Sequence, residues 1–396
     1  MPLPSPFHSR TSPLCTSLQW KEWGGYHAVC SYGTSHEPEY VALRHSAGLI
    51  DVSPLFKYEI SGPDAARFLA RVTVRDVTKL KVGRMSYLCW CDDDGQVVDD
   101  GTVARLGDEH FRLTAAEPSL SWLEGLRRGF AVSIEDSSVS LGTLALQGPS
   151  AREILRPIVD TDIDALRFFG ILRCRLTGID IWLSRTGYTG DLGYEIWIPR
   201  ENAEAAYDAV LSAGEHLGLL AVGLDAMDVS RIEAGFIMNG VDYYSANHCL
   251  TDERKASPWE LGLGWTVNLD REPFVGQAAL RRLKETGEGR RLVGLNADWD
   301  EIKAIFEAYS LPPEVPTAAW RDGRPVYDES NRWIGQATSG AWSPILKANL
   351  ALAQIDKAFA EPGTRVRFEI TAEYHRHTVT ATVTPMPFFN PPRKRA

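Results

Sequence analysis

The spacing of apolar and polar residues changes period several times along the chain, and the changes outline mixed helices and strands. YVALRHSAGLI, residues 40–50, repeats its apolar positions at helical intervals and predicts a helix that stops at Gly48. FKYEI then alternates, with Phe56, Tyr58 and Ile60 on one side, which predicts a strand. A Gly62-Pro63 turn leads into a helix from Asp64, an acid in its first turn. Residues 83–116 hold three alternating runs broken at Asp94-Gly95 and Gly107-Asp108, both turn pairs, so a meander of antiparallel strands is the simplest account. A helix over PSLSWLEGLRRGF, strands near Val132 and Leu144, and a helix over SAREILRPIV capped by Ser150 follow. ENAEAAYDAVLSAGEHLGL is amphipathic, with Glu and Asp along its outer face. Hairpins without regular βαβ alternation predict the α+β class with antiparallel sheets.

The pattern shifts at the polar, Gly-containing connector KETGEGRRL. Beyond it, AAWRDGRPVYDESNRWIGQATSG and TRVRFEITAEYHRHTVTATVTP alternate between turns as a small β-barrel or sandwich does. This divides the chain into residues 1–286 and a C-terminal β domain, 290–396. A length of 396 residues suits two or three domains.

Composition narrows the function classes. The net charge of −10 argues against non-specific attraction to nucleic acid or an anionic membrane, and no apolar run is long enough to span a bilayer. The basic end, PPRKRA, is expected to be solvated. MPLPSPFHSR lacks the apolar core of a signal peptide, so the expected location is the cytoplasm. Six cysteines form no C-x-x-C pair and are expected to be reduced; Cys89 and Cys91 can share one buried strand face without binding anything. The histidines lack ligand spacing, which predicts no metal site, and neither a phosphate loop nor a nucleophile-elbow serine is present.

Two carboxylate positions stand out. In SRTGYTGDLGYEIWI, alternation places Tyr194 and Ile196 on one face and Glu195 with Trp197 on the other. A carboxylate beside aromatics can accept paired N–H bonds from a planar heterocycle such as an amino-pyrimidinone. The glycines at 187, 190 and 193 suit a ligand pressed against the hairpin. The alternative is the exposed face of an edge strand. In DDDGQVVDDG the first acids suit a solvated turn, whereas Asp99 and Asp100 follow two valines on a returning strand. One of the pair must point inward, where burial and its neighbour's charge raise its proton affinity; a plain strand end is the alternative.

SRTGYTGDLGYEI strongly resembles the signature of the aminomethyltransferase (glycine-cleavage T-protein) family. RHSAGLIDVS, GRMSYLCWCDDDGQVVDDG, LALQGPSAREIL, AVGLDAMDVSRIEAGF, PWELGLGWTVNLDREPFVGQAAL and GQATSGAWSPILKANLALAQI extend the resemblance over most of the chain. The resemblance implies a ring-like N-terminal region of two subdomains plus the C-terminal barrel, around a central hole that holds tetrahydrofolate. By motif position it implies that Glu195 grips the pterin and that Asp100, with Tyr87, carries catalysis. It places Tyr188, Thr114, Arg185, Met227 and Asn390 at cofactor-binding positions.

Several of these positions depart from the family pattern. Met227 stands where the family motif has an arginine, Asn390 replaces a second one, Pro54 replaces a histidine, and Thr114 replaces an asparagine. The stretch 241–257 is longer than its T-protein counterpart and is expected to shape the donor pocket. These changes favour a stand-alone, demethylase-like relative that moves a methyl group from a small-molecule donor to tetrahydrofolate, with no flavin domain of its own. A divergent aminomethyltransferase served by a lipoyl carrier protein is the second expectation. A member that has exchanged folate for another ligand is the third. An iron-sulfur assembly regulator is disfavoured because its Lys-x-Cys-Tyr-x-Gly-Gln motif is missing.

Overall fold

The computed structural model describes residues 1–315 and 318–396. A short hairpin, β1 (Gln19–Trp23) and β2 (Tyr26–Ser31), precedes the main strands. In chain order these are β3 (Ala47–Asp51), β4 (Phe56–Ser61), β5 (Arg84–Cys91), β6 (Val97–Arg105), β7 (His110–Ala115) and β8 (Ser133–Asp136). Then come β9 (Leu141–Gln147), β10 (Ile171–Leu176), β11 (Ile179–Ser184), β12 (Gly193–Pro199) and β13 (Leu219–Ala221). They sort into a five-stranded sheet, β5-β6-β7-β4-β8, and a six-stranded sheet, β10-β11-β12-β9-β3-β13, whose β13–β3 pair is parallel. The remaining strands, β14 (Arg290–Ala297), β15 (Arg324–Tyr327), β16 (Trp333–Ser343), β17 (Ala348–Asp356), β18 (Arg365–Ala372) and β19 (His375–Thr384), close a barrel. No described helix is long and apolar enough to cross a membrane.

Each sheet buries one face against helices. Tyr58, Ile60, Leu88, Trp90, Val103, Phe111 and Leu113 pack on Phe68 and Leu69 of the helix Ala65–Val72. Leu144, Leu146, Tyr194, Ile196 and Ile198 pack on the helices Ala151–Leu155 and Ala203–Gly214. At about 1.5–3 kcal/mol per large apolar side chain, these outer layers stabilise the fold and leave the inner faces free for polar groups. The barrel attaches through Asp242, which accepts hydrogen bonds from the Thr338 and Ser339 hydroxyls at 2.5 and 2.6 Å.

The meander from Gly83 forms as expected, with Asp92 accepting the Asp94 and Gln96 amides in the first turn. Cys89 and Cys91 share a buried cluster. Three expectations need correction. The helix expected to reach Gly48 ends at His45, and β3 begins at Ala47. Gly48 is required by close approach, since a Cβ there would lie 2.6 Å from the side chains of Leu43 and Val222. Ser150 occupies the N-cap position, yet its side chain makes no capping bond. The basic end is docked, not solvated: Arg393 pairs with buried Asp191 at 2.7 Å, and Lys394 lies buried over the Phe236 ring at 4.8 Å. Truncation after Pro391 should therefore lower the unfolding midpoint, because it removes the nearer cation of buried Asp191 and leaves only Arg44 at 3.9 Å; a midpoint unchanged by scanning calorimetry would show the tail to be dispensable.

Candidate functional site

Strand register builds the site. Tyr87, Thr102, Thr114 and Lys57 stand directly opposite one another across β5, β6, β7 and β4, forming one row on the inner face of the five-stranded sheet. Asp100 lies on the same face, two residues before Thr102. On the six-stranded sheet, Ser184, Glu195, Ala145 and Ile50 form the corresponding row. The inner faces meet where the Arg112 guanidinium sits 5.2 Å from the Trp197 ring centroid.

Both acids of the β6 pair are held inside. Asp99 Oδ2 accepts the Ala116 and Glu117 amides, each at 3.0 Å; Oδ1 accepts the Asn239 side-chain amide at 2.8 Å and the Asp100 amide at 2.9 Å. Asp100 Oδ2 accepts the Tyr87 hydroxyl at 2.6 Å, and Oδ1 accepts Tyr243. Burial raises the proton affinity of both carboxylates, and the charge of Asp100 adds to the effect at Asp99. N–H donors already fill the lone pairs of Asp99, so a proton taken up by the pair belongs on Asp100. Asp100 is therefore poised to accept or return a proton above the ordinary aspartate range. Burial, then the charge of Asp100, holds the Tyr87 and Tyr243 hydroxyls protonated.

Glu195 lies on an interior strand of its sheet, which rules out the exposed-edge alternative. Its Oε2 accepts Thr186 at 2.8 Å and Ser184 at 3.4 Å; its Oε1 accepts nothing among the described residues. Burial raises the pKa of Glu195 against the two hydroxyls and the charge of Lys57, which favour the anion. The residue as a whole is half-buried. Gly187 and Gly193 serve a different purpose from the one expected. A Cβ at either would collide with the buried Gln147 side chain, at 1.9 and 2.2 Å, so these glycines admit a protein group and not a ligand.

The other expected positions divide. Tyr188 stacks on Phe236 with ring centroids 5.5 Å apart and donates to the Ile237 carbonyl. Thr114 shares a 2.6 Å hydroxyl contact with Thr102. Met227 is buried in an apolar cluster with Ala145, Val222 and Tyr188, while Asn390 is exposed. Arg185 does not join the site. Its guanidinium donates to the carbonyls of Leu166 and Ala396, which clamps the C-terminal segment. Tyr243 was not singled out by the sequence beyond its place in the long 241–257 stretch, although it touches Asp100.

Lys57 was also missed, and the alternation of FKYEI had already placed it opposite the apolar face. Its Nζ donates to the Ser53 and Leu55 carbonyls, each at 2.7 Å, and burial pushes its pKa from 10.5 down to about 7. A neutral amine retains two N–H donors, enough for both bonds. Above pH 7 the unfolded chain binds the proton that folded Lys57 releases, so stability rises with pH in that window. Relative to Lys57→Met, wild type should gain up to about 1.4 kcal/mol per pH unit between pH 7 and 9. Urea unfolding of both proteins measures this; a difference independent of pH would mean that Lys57 stays charged.

Comparison with known proteins agrees with this architecture. The GCVT N-terminal domain matches residues 16–271, and the glycine cleavage T-protein C-terminal barrel domain matches 290–390. The chain is 32% identical to an aminomethyltransferase of Halothermothrix orenii over 371 residues, 93% of this chain and 95% of that protein. It is 34% identical to trimethylamine-oxide aldolase of Ruegeria pomeroyi, over 98% of this chain and 47% of that protein. The crystal structure of glycine cleavage system aminomethyltransferase T from Bartonella henselae superposes with a TM-score of 0.83 at 24% identity, covering 98% of this chain and 99% of that one. With both domain models matched in order and full-length relatives above 30% identity, the chain belongs to the glycine-cleavage T-protein family of one-carbon transferases.

Proposed function

We propose that this protein is a tetrahydrofolate-dependent transferase that takes a methyl group from a small methylated metabolite. Enzymes of the T-protein family are folate-dependent. The observation that carries the reading is Glu195 Oε1, a carboxylate oxygen inside the molecule with no partner among the described residues, facing the sheet that bears Tyr87 and Asp100. That geometry fits a pterin, whose amino-pyrimidinone edge offers paired N–H donors. Glu195 would hold this edge, with Tyr188 and Phe236 as an aromatic wall. Tetrahydrofolate, when bound, supplies an amine nitrogen that accepts the one-carbon unit. Asp100 moves a proton at its own carboxylate oxygens, and Tyr87 and Tyr243 fix the carboxylate's plane. Fixed alignment in an enclosed space supplies several kcal/mol, about 7–11 in favourable cases.

Met227 and Asn390 support a small donor: two positions that carry arginine in the family pattern here carry no charge. The full-length relatives named aminomethyltransferase favour a second reading, in which a lipoyl carrier protein delivers an aminomethyl group. Calorimetric titration with tetrahydrofolate tests the common ground. Wild type should bind, and Glu195→Ala should lose about tenfold or more in affinity. Equal binding by the two proteins would sink the pterin assignment. Turnover that requires a lipoyl carrier and fails with free methylated compounds would replace the first reading by the second.

A further inference from the structure

A cavity of about 410 Å³ has Arg75, Lys79, Arg271, Lys284, Asp76 and Asp270 on its walls. Both acids are already engaged. Asp76 pairs with Lys79 at 3.1 Å and accepts the Thr78 amide, while Asp270 pairs with Arg281 at 3.7 Å. Arg271 donates to the carbonyls of Ala70 and Thr73, which hold the side chain without neutralising it. Arg75 makes a single long bond, 3.4 Å to the Tyr87 carbonyl. It forms no salt bridge among the described residues, and burial alone depresses its pKa. In a chain of net charge −10 this cleft is locally cationic, and its walls focus the field.

An independent feature ties the cleft to the Asp100 site. Trp265 is 63% exposed, stacks on Tyr87 at 6.2 Å with ring planes 24° apart, and carries the Arg75 guanidinium 5.4 Å from its centroid. Indole and phenol form a continuous wall from the cation to the Asp100 carboxylate.

We propose that this cavity is a carboxylate-recognition site anchored by Arg75, so that a ligand reacting at Asp100 places an acid group beyond the Tyr87–Trp265 wall. This rests on the assignment of group transfer to the Asp100 site. Arginine suits the task because its planar fork presents parallel N–H donors to a carboxylate, and most donors of Arg75 are unused. Lys79 and Lys284 add field without fixing geometry. The acid belongs either to the one-carbon donor or to the glutamyl end of tetrahydrofolate.

Calorimetry on the full chain and on Arg75→Gln separates these sources with two matched pairs. Tetrahydrofolate is compared with tetrahydropteroate, which lacks the glutamyl carboxylates, and glycine betaine with choline. A loss of about tenfold or more for tetrahydrofolate but not tetrahydropteroate assigns the site to the glutamyl end. The same loss for glycine betaine but not choline assigns it to the donor. Arg75→Lys keeps the charge without the fork and should lose part of the affinity, which separates recognition from misfolding. No difference between wild type and Arg75→Gln for either carboxylate ligand overturns the proposal. Failure of wild type to bind both pteridines overturns the folate reading instead, and the betaine pair still reports on Arg75.

Discussion

Asp100→Asn should lower turnover by about 10²–10⁴-fold while leaving tetrahydrofolate affinity within about threefold, the range expected when a positioned acid-base group is lost from an otherwise intact pocket. The amide keeps the size of the carboxylate and a carbonyl acceptor for one of the two tyrosines. It cannot take up a proton. Asp99 cannot substitute, because four N–H donors occupy its oxygens. Glu195→Ala should show the converse pattern, weak binding with chemistry preserved at saturating folate, so the two variants together separate holding from reacting. Burial lifts the proton affinity of Asp100, so the acidic limb of the wild-type pH profile should lie above the ordinary aspartate range and vanish in the variant. Steady-state rates measured across pH, with calorimetric affinities alongside, decide the matter. Undiminished turnover would remove Asp100 from any role in proton transfer.

Arg231→Met should destabilise the fold by about 3–5 kcal/mol, because it leaves a buried carboxylate without its cation. The Arg231 side chain is 0% exposed, donates to Asp228 at 2.7 Å and pairs with Asp242. Asp228 keeps a second partner, Arg321 at 2.7 Å, but Asp242 has no other cation within salt-bridge reach among the described residues. Burial would raise the Asp228 pKa, and the two arginines overcome this and hold it low. Because Asp242 also holds Thr338 and Ser339 of the barrel, the loss should loosen the barrel from the rest. It should also reduce activity, since Phe236 and Tyr243 flank the same loop. Adding Asp242→Asn to Arg231→Met should restore part of the loss. Urea unfolding of the single and double variants tests this, and an unchanged midpoint for the single variant would refute the account.

Local patterns are legible where one residue's period decides its environment. Alternation put Glu195 on the face opposite Tyr194 and Ile196, and two valines before Asp99 led the strand into the interior. The Gly48 error has a clear origin: apolar residues at 47, 49 and 50 satisfy a helical stripe, yet β13 supplies a parallel strand partner 172 residues away. The docking of the tail is invisible in the sequence for a similar reason. Arg393 looks solvated until Asp191, on a distant loop, is known to be buried without sufficient cations of its own.

By itself the sequence determined the class of fold, the strand face that Glu195 shares with Trp197, and membership of the family, because side-chain period and ordered motifs are local properties; that this face and Asp100 lie inside was left open until the sheets were assembled. Only the tertiary structure decided which groups touch them. Tyr243 reaches Asp100 from 143 residues away, Lys57 faces Glu195 from another sheet, and Arg75 forms no salt bridge among the described residues although Asp76 follows it in the chain. Charge and proton affinity depend on distances between side chains brought together by packing, and sequence separation carries no information about those distances.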